Sequence, residues 1–184
     1  MFARTQRLLL RPAWQEDVEP LYRAIADERV VRNLSRAPWP YTRENAAAFV
    51  GAERSAHEAS FLIFKIAGPA PELIGAIGLG ATRDGAAELG YWLAPAHWGQ
   101  GYAPEAGRAV VAIARDALRL RRLLAGHFLD NPASGAVLRK LGFKPTGLIR
   151  TRPSVARGED VASAEFELDL APGTTHAAAP ALAA

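Results

Sequence analysis

The stretch 88–104, ELGYWLAPAHWGQGYAP, holds the residues whose types and order best suit chemistry. A strand-like run ends at Leu93, and a turn containing Gly99 and Gly101 leads directly into a helical pattern that opens near Pro104. Glycine allows a tight turn with no Cβ in the way. Proline has no N–H to lose in a helix's first turn, so a helix start at Pro104 is natural. The amides of Gly99, Gln100, Gly101, Tyr102 and Ala103 then converge at a positive helix end, which suits an anion such as a pyrophosphate. Two commoner phosphate loops do not fit. Pro104 occupies the third glycine of a dinucleotide fingerprint, and no Gly-Lys-Ser/Thr follows. A plain tight turn without a ligand is the other reading of this segment.

Upstream of the turn, Glu88 shares a strand face with Gly90 and Trp92, opposite Leu89, Tyr91 and Leu93. A carboxylate facing a cleft there can relay a proton; a half-exposed strand glutamate is the alternative. The chain has no cysteine, which removes disulfides, thiolate metal sites and any thiol nucleophile. Its four histidines, His57, His97, His127 and His176, have no metal-ligand spacing, so no metal is expected. His127 lies mid-strand, as a second base or a structural ring, and His97 borders the glycine turn.

Composition bounds the rest. A chain of 184 residues, 49% hydrophobic and 22% charged, fits one globular domain. Its apolar runs fall short of the ~20 residues of a membrane span, and Leu8–Leu9–Leu10 is too short for a signal-peptide core. A cytoplasmic protein with no membrane partner is the expectation. Net charge is +3 with scattered arginines, which does not favour nucleic acid as a partner.

Alternating strands and helices must position these residues. Strands are expected at 6–11, 61–66, 73–79, 86–93, 122–129, 143–148 and 163–170. The GPAP and TRDG segments read as turns. Helices are expected from Glu16, from an N-cap at Thr42, over 104–120 and over 132–141. The third carries an inner stripe of Ala106, Val110, Ile113, Ala117 and Leu120, with Arg108, Arg115 and Arg119 on another face. In the last strand Phe166 and Leu168 point inward, Glu165 and Glu167 outward. Residues 150–160 read as a mobile loop that could line the cleft, and 171–184 as a flexible Ala/Pro-rich tail after a domain spanning 1–170. The result is α/β architecture around a central sheet.

The order of strand, glycine turn, long helix, strand, Asn131-x-x-Ser134 helix and Leu141-Gly142-Phe143 strand resembles the GNAT superfamily of acyl-CoA N-acyltransferases. TQRLLLRPAWQEDVEPLY and ELGYWL…HWGQGYAPEA resemble its RimJ/RimL-type branch, and the resemblance covers residues 5 to about 170. It implies a GNAT fold: a mixed, mostly antiparallel sheet of six to seven strands, splayed in the middle and flanked by helices. It also implies acetyl-CoA as co-substrate. The family motif Arg/Gln-x-x-Gly-x-Gly/Ala falls on Trp98, Gly99, Gln100, Gly101, Tyr102 and Ala103, departing from it at Trp98. The pyrophosphate cradle is made by amides, so that departure leaves it intact. The resemblance further implies that Tyr91, Trp92 and Leu93 pair by backbone with the pantetheine arm, that Asn131 contacts it, and that Ser134 lies near the thioester sulfur. Lys140 or Arg139 would meet an outer phosphate, or be simply solvated.

Transfer of an acetyl group to an amine requires a neutral amine, a polarised carbonyl and a proton for the departing thiolate. Without cysteine, direct attack in a ternary complex is the expected route. Glu88 is the candidate general base, through water, and Ser134 the candidate general acid or else a helix cap. Trp14, Arg32, Asn33, Trp39 and Tyr41 lie in the third of the chain where this family shapes its acceptor cleft. Trp39 and Tyr41 read as an aromatic wall for the amine or as pegs that fasten their loop. A protein N-terminal α-amine is the family-typical acceptor. A small-molecule amine (polyamine, amino acid or aminoglycoside) and a catalytically silent acyl-CoA-binding module are the rivals, in a monomer or homodimer.

Overall fold

The computed structural model describes residues 1–53, 58–67, 70–81 and 86–171. His57, His176, the TRDG turn, part of GPAP and the tail from 172 onward lie outside the described residues. Eight strands form a single sheet: β1 Ala3–Arg4, β2 Leu8–Arg11, β3 Ala59–Lys65, β4 Glu72–Ala81, β5 Ala87–Leu93, β6 Arg122–Phe128, β7 Lys144–Ser154 and β8 Glu159–Asp169. Their order is β1-β2-β3-β4-β5-β6-β8-β7. Every neighbouring pair is antiparallel except β5 and β6, which are parallel. Five α-helices flank the sheet: α1 Val18–Ile25, α2 Glu28–Val31, α3 Arg43–Gly51, α4 Tyr102–Ala112 and α5 Pro132–Lys140.

Both faces of the sheet are covered, which is why its middle strands read as nearly continuous apolar runs. On β3, Phe61 and Ile63 enter a core with Leu89 and Leu93 of β5, Ala106 and Val110 of α4 and Leu138 of α5. Leu62 and Phe64, one residue out of phase, enter a second core with Leu21, Val31, Tyr41 and Ala46. Thr42 caps α3 as its sequence suggests: its Oγ1 accepts from the Asn45 amide while the Asn45 side chain accepts from the Thr42 amide.

Three expectations change. The sheet has eight strands rather than six or seven, through the short β1. The segment 150–160 is not a loop: β7 continues to Ser154, β8 begins at Glu159, and only 155–158 turn. That strand lies at the sheet's edge and is mostly exposed, so it carries no apolar alternation for a sequence pattern to register. The long helix is α only to Ala112. A wider π turn, Ile113–Ala117, then buries Ala114 fully, keeps Ile113 partly buried against the core and turns Ala117 out to solvent.

The defining feature is the β5–β6 pair. Its single bridge joins Glu88 to Leu124, and beyond it the strands diverge. Close approach of β4 fixes the other edge of β5. A Cβ built on Gly75 would lie 2.2 Å from the Trp92 carbonyl oxygen, whereas one on Gly80 meets nothing. Gly75→Ala is therefore expected to cost about 1–3 kcal/mol, roughly 2–4 °C of melting temperature per kcal/mol. Gly80→Ala should leave the calorimetric transition unchanged.

Candidate active site

The helix start after β5 has the geometry its glycines require. Gly99 and Gly101 adopt φ of +73° and +80°, where a side chain is strained, and Gly101 is the N-cap of α4. A Cβ built on Gly99 would meet nothing within 4 Å, so the turn there is open. Trp98 closes the end of β5 by donating its indole N–H to the Leu93 carbonyl at 2.7 Å. Gln100 turns its side chain back to the Ala96 carbonyl. His97 is buried, 3.3 Å from Glu72 and edge-on to Tyr102. It faces the core rather than the turn. Tyr102 is likewise buried, so only its amide remains to the cradle.

An ion pair that sequence reasoning missed braces this turn. Glu105, in the first turn of α4, accepts from the Thr5 hydroxyl, the Arg7 amide and Arg7 Nε at 2.5, 3.0 and 2.7 Å. The Arg7 guanidinium also donates to the Gln100 carbonyl and lies 4.5 Å above the Tyr102 ring. Burial alone would raise the Glu105 carboxyl, but the donors from Thr5 and Arg7 outweigh it and hold it below its ordinary value.

The fork between β5 and β6 is lined by polar groups from both sides. Tyr91 reaches across to α5, its hydroxyl 2.7 Å from Ser134 Oγ and 3.0 Å from the Ser134 carbonyl. The carbonyl can only accept, so when Tyr91 donates to it the serine hydroxyl donates to Tyr91. Burial pushes the Tyr91 hydroxyl up to about 12, so it stays neutral at working pH. Ser134 is not the helix cap; Asn131 is, its Oδ1 accepting from the Ser134 amide at 3.3 Å. His127 is on this side too, its Nδ1 donating to the Phe128 carbonyl and its ring held between Gly135 and Phe166. It is a packed ring. Lys140 is exposed at the end of α5.

On the opposite face Glu88 is not solitary. Arg152 donates Nη1 to Glu88 Oε1, and Nε and Nη2 to the two oxygens of Glu165, each at 2.9 Å. Glu165, expected outward, is buried at 8% exposure because this arginine covers it. Burial disfavours the Arg152 charge, but the two carboxylates hold its proton more tightly than usual. No sequence signal marked Arg152, which lay in the supposed loop.

Residues expected on the acceptor side divide. Arg32 contacts Asp130 at 3.3 Å, and Arg157 of the β7–β8 turn binds the same carboxylate at 2.8 and 3.0 Å and the Arg32 carbonyl. Val155 donates to the Ser35 carbonyl, so the turn is docked against the segment carrying Arg32. Trp39, before a cis Pro40, is 40% exposed, whereas Tyr41 is a core peg at 7%. Among the described residues no group of three or more metal-ligating side chains occurs, and no helix is long and apolar enough to cross a membrane.

A sheet that splits at one parallel bridge, with a glycine-turned helix start on one prong and a capped helix on the other, defines an acyltransferase architecture. A family model described as an acetyltransferase (GNAT) domain matches residues 7–144. The chain belongs to this GNAT acetyltransferase family, in its RimJ/RimL-type branch, and is an acyl-CoA-dependent acetyltransferase. It is 32% identical over 156 residues to the uncharacterised N-acetyltransferase YoaA of Bacillus subtilis, covering 79% of this chain and 84% of that protein. The ribosomal-protein-serine acetyltransferase of Escherichia coli is 29% identical over 155 residues, with the same coverage. Among solved structures, a GNAT-family acetyltransferase from Bacillus anthracis superimposes with a TM-score of 0.78 at 23% identity, over 92% of this chain and 99% of that one. RimL, a ribosomal alpha-N-protein acetyltransferase in complex with coenzyme A, does so at 0.76 and 22%, over 92% and 98%.

The Glu105 brace has a pH signature. A carboxyl held lower in the fold stabilises it above the ordinary value of 4.5, and that contribution is lost as pH falls through the depressed value. Urea unfolding followed from neutral to acid pH should show a smaller acid loss in Glu105→Gln than in the parent.

Proposed function

We propose that this chain transfers the acetyl group of acetyl-CoA to a primary amine by direct attack in a ternary complex, the acceptor being the α-amine at a protein N-terminus. The single observation that carries this is the fork itself, with Glu88 on one side of the sheet and the Ser134–Tyr91 hydroxyl pair on the other. The residues present fit a diphosphate-containing co-substrate. No protein atom lies within 4 Å of where a Gly99 Cβ would stand, which leaves room beside the turn, and the amides of Gly99 to Ala103 stand at the start of α4.

In that reading the amides of Gly99, Gln100, Gly101, Tyr102 and Ala103 hold the diphosphate. The free backbone edge of Tyr91, Trp92 and Leu93 together with Asn131 receives the pantetheine arm, and Lys140 is the candidate for the outer phosphate. When bound, the thioester supplies the acyl group and a thiolate leaving group. Glu88 takes a proton from the amine, through water, at the oxygen that Arg152 does not occupy. The Ser134 hydroxyl gives a proton to the departing sulfur when Tyr91 turns its own O–H from the Ser134 carbonyl to Ser134 Oγ, and the serine regains a proton from solvent through the neutral Tyr91 hydroxyl. Holding both reactants in one fork supplies much of the rate.

The acceptor assignment is supported by the name of the Escherichia coli relative, which concerns a ribosomal-protein serine. Arg32, docked beside Asn131 through Asp130, and the exposed Trp39 give an open, polar-aromatic approach on which an extended chain end could lie. Thiol release from acetyl-CoA is to be measured with peptides bearing a free N-terminal serine, a polyamine, an amino acid and an aminoglycoside. Mass spectrometry then locates the added acetyl group. Acetylation confined to small molecules would replace the acceptor, and coenzyme A binding without thiol release would indicate a silent binder.

Two variants test the parts. Gly101→Val, at a φ of +80°, is expected to remove the calorimetric heat of coenzyme A binding. Retained affinity would refute the backbone cradle. Glu88→Gln should lower kcat by on the order of 10²-fold, with coenzyme A affinity intact. Unchanged kcat would remove the base from Glu88.

A further inference from the structure

Where the backbone stops joining β5 to its neighbour, one side chain takes over. Arg152 starts on β7, passes over β8 and β6, and ends on Glu88 of β5. Its lane across β6 is open because residue 126 is glycine. A Cβ there would stand 3.3 Å from Arg152 Nη2 and 3.0 Å from Ser163 Oγ. Glu165 alone satisfies the usual needs of such an arginine, since Nε and Nη2 already make a bidentate pair with it. The remaining donor, Nη1, is spent on Glu88 Oε1, and Glu88 Oε2 has no partner among the described residues.

We propose that Arg152 is a positioning residue that acts through Glu88, fixing its carboxylate at the root of the fork so that one oxygen is held and the other is left for the acceptor's proton. This rests on the base assignment above and deepens it. The charged groups facing Glu88 are Arg152 from β7 and Glu165 from β8; His127 of β6 points to the opposite face, against Gly135. A lysine cannot replace this arginine, because a single ammonium lacks the planar fork that binds Glu165 and still reaches Glu88.

A double-mutant cycle in kcat separates positioning from plain support. Arg152→Lys is expected to lower kcat about tenfold or more, with KM for acetyl-CoA held within about twofold. Its cost should vanish in a Glu88→Gln background. Equal losses in both backgrounds would overturn the proposal while leaving Glu88 as the base. A Glu88→Gln enzyme with full kcat would instead overturn the base assignment beneath it. The rates are read on whichever amine of the panel is acetylated, and on acetyl-CoA hydrolysis by water otherwise. A crystal structure of Arg152→Lys gives a readout free of turnover: a displaced Glu88 carboxylate supports the proposal, and an unmoved one refutes it.

Discussion

The candidate site of this protein is organised by one interruption in a hydrogen-bonded sheet. Two parallel strands share a single bridge, Glu88 to Leu124, and then part. Ladders normally continue, because an unpaired buried amide or carbonyl is costly. The facing edges of β5 and β6 past that bridge are thus a ready acceptor for an extended, amide-containing ligand. The glycine turn follows the same strand by six residues at Gly99, so strand edge and helix start form one continuous track.

An opened sheet must be held from the sides, and here side chains do it. Arg7 and Glu105 fasten the turn before β2 to the first turn of α4. Tyr91 and Ser134 join β5 to α5 across the gap. Arg152 joins β5 to β8 on the other face. Buried and half-buried polar contacts of this kind rarely add much net stability over apolar packing, but losing one partner is expensive. Their use at the fork is consistent with a role in geometry rather than in raw stability. Arg157, Asp130 and the Val155–Ser35 bond do the same for the approach to the fork. Hydrogen bonding to Arg157 draws the Asp130 carboxyl below its ordinary value.

The glycine turn and the helix start after β5 were legible because their determinants are local. Glycine at two turn positions and proline just inside a helix act through their own backbone, so spacing alone locates them, whereas the cap of α5 fell to Asn131 rather than to the expected Ser134. The faces of β5 followed from alternation, and the placement of Glu88 opposite Leu89 held. The edge strand β7 was not legible, since an exposed strand needs no apolar pattern. Nor was the π turn, which depends on how α4 seats Ala114 against the sheet.

The amino-acid order by itself determined the family resemblance, the glycine turn that opens α4, and which residues of β5 share a side, because these depend on neighbours a few positions apart. Only the tertiary structure decided the partners of the charges. Arg7 meets Glu105 98 residues away, and Arg152 meets Glu88 64 residues away. A charged side chain carries no directional signal in sequence; its partner is set by which strands the fold brings side by side. Gly126 shows the same division: an unremarkable strand glycine in the sequence, and in the folded sheet the gap through which a guanidinium reaches Glu88.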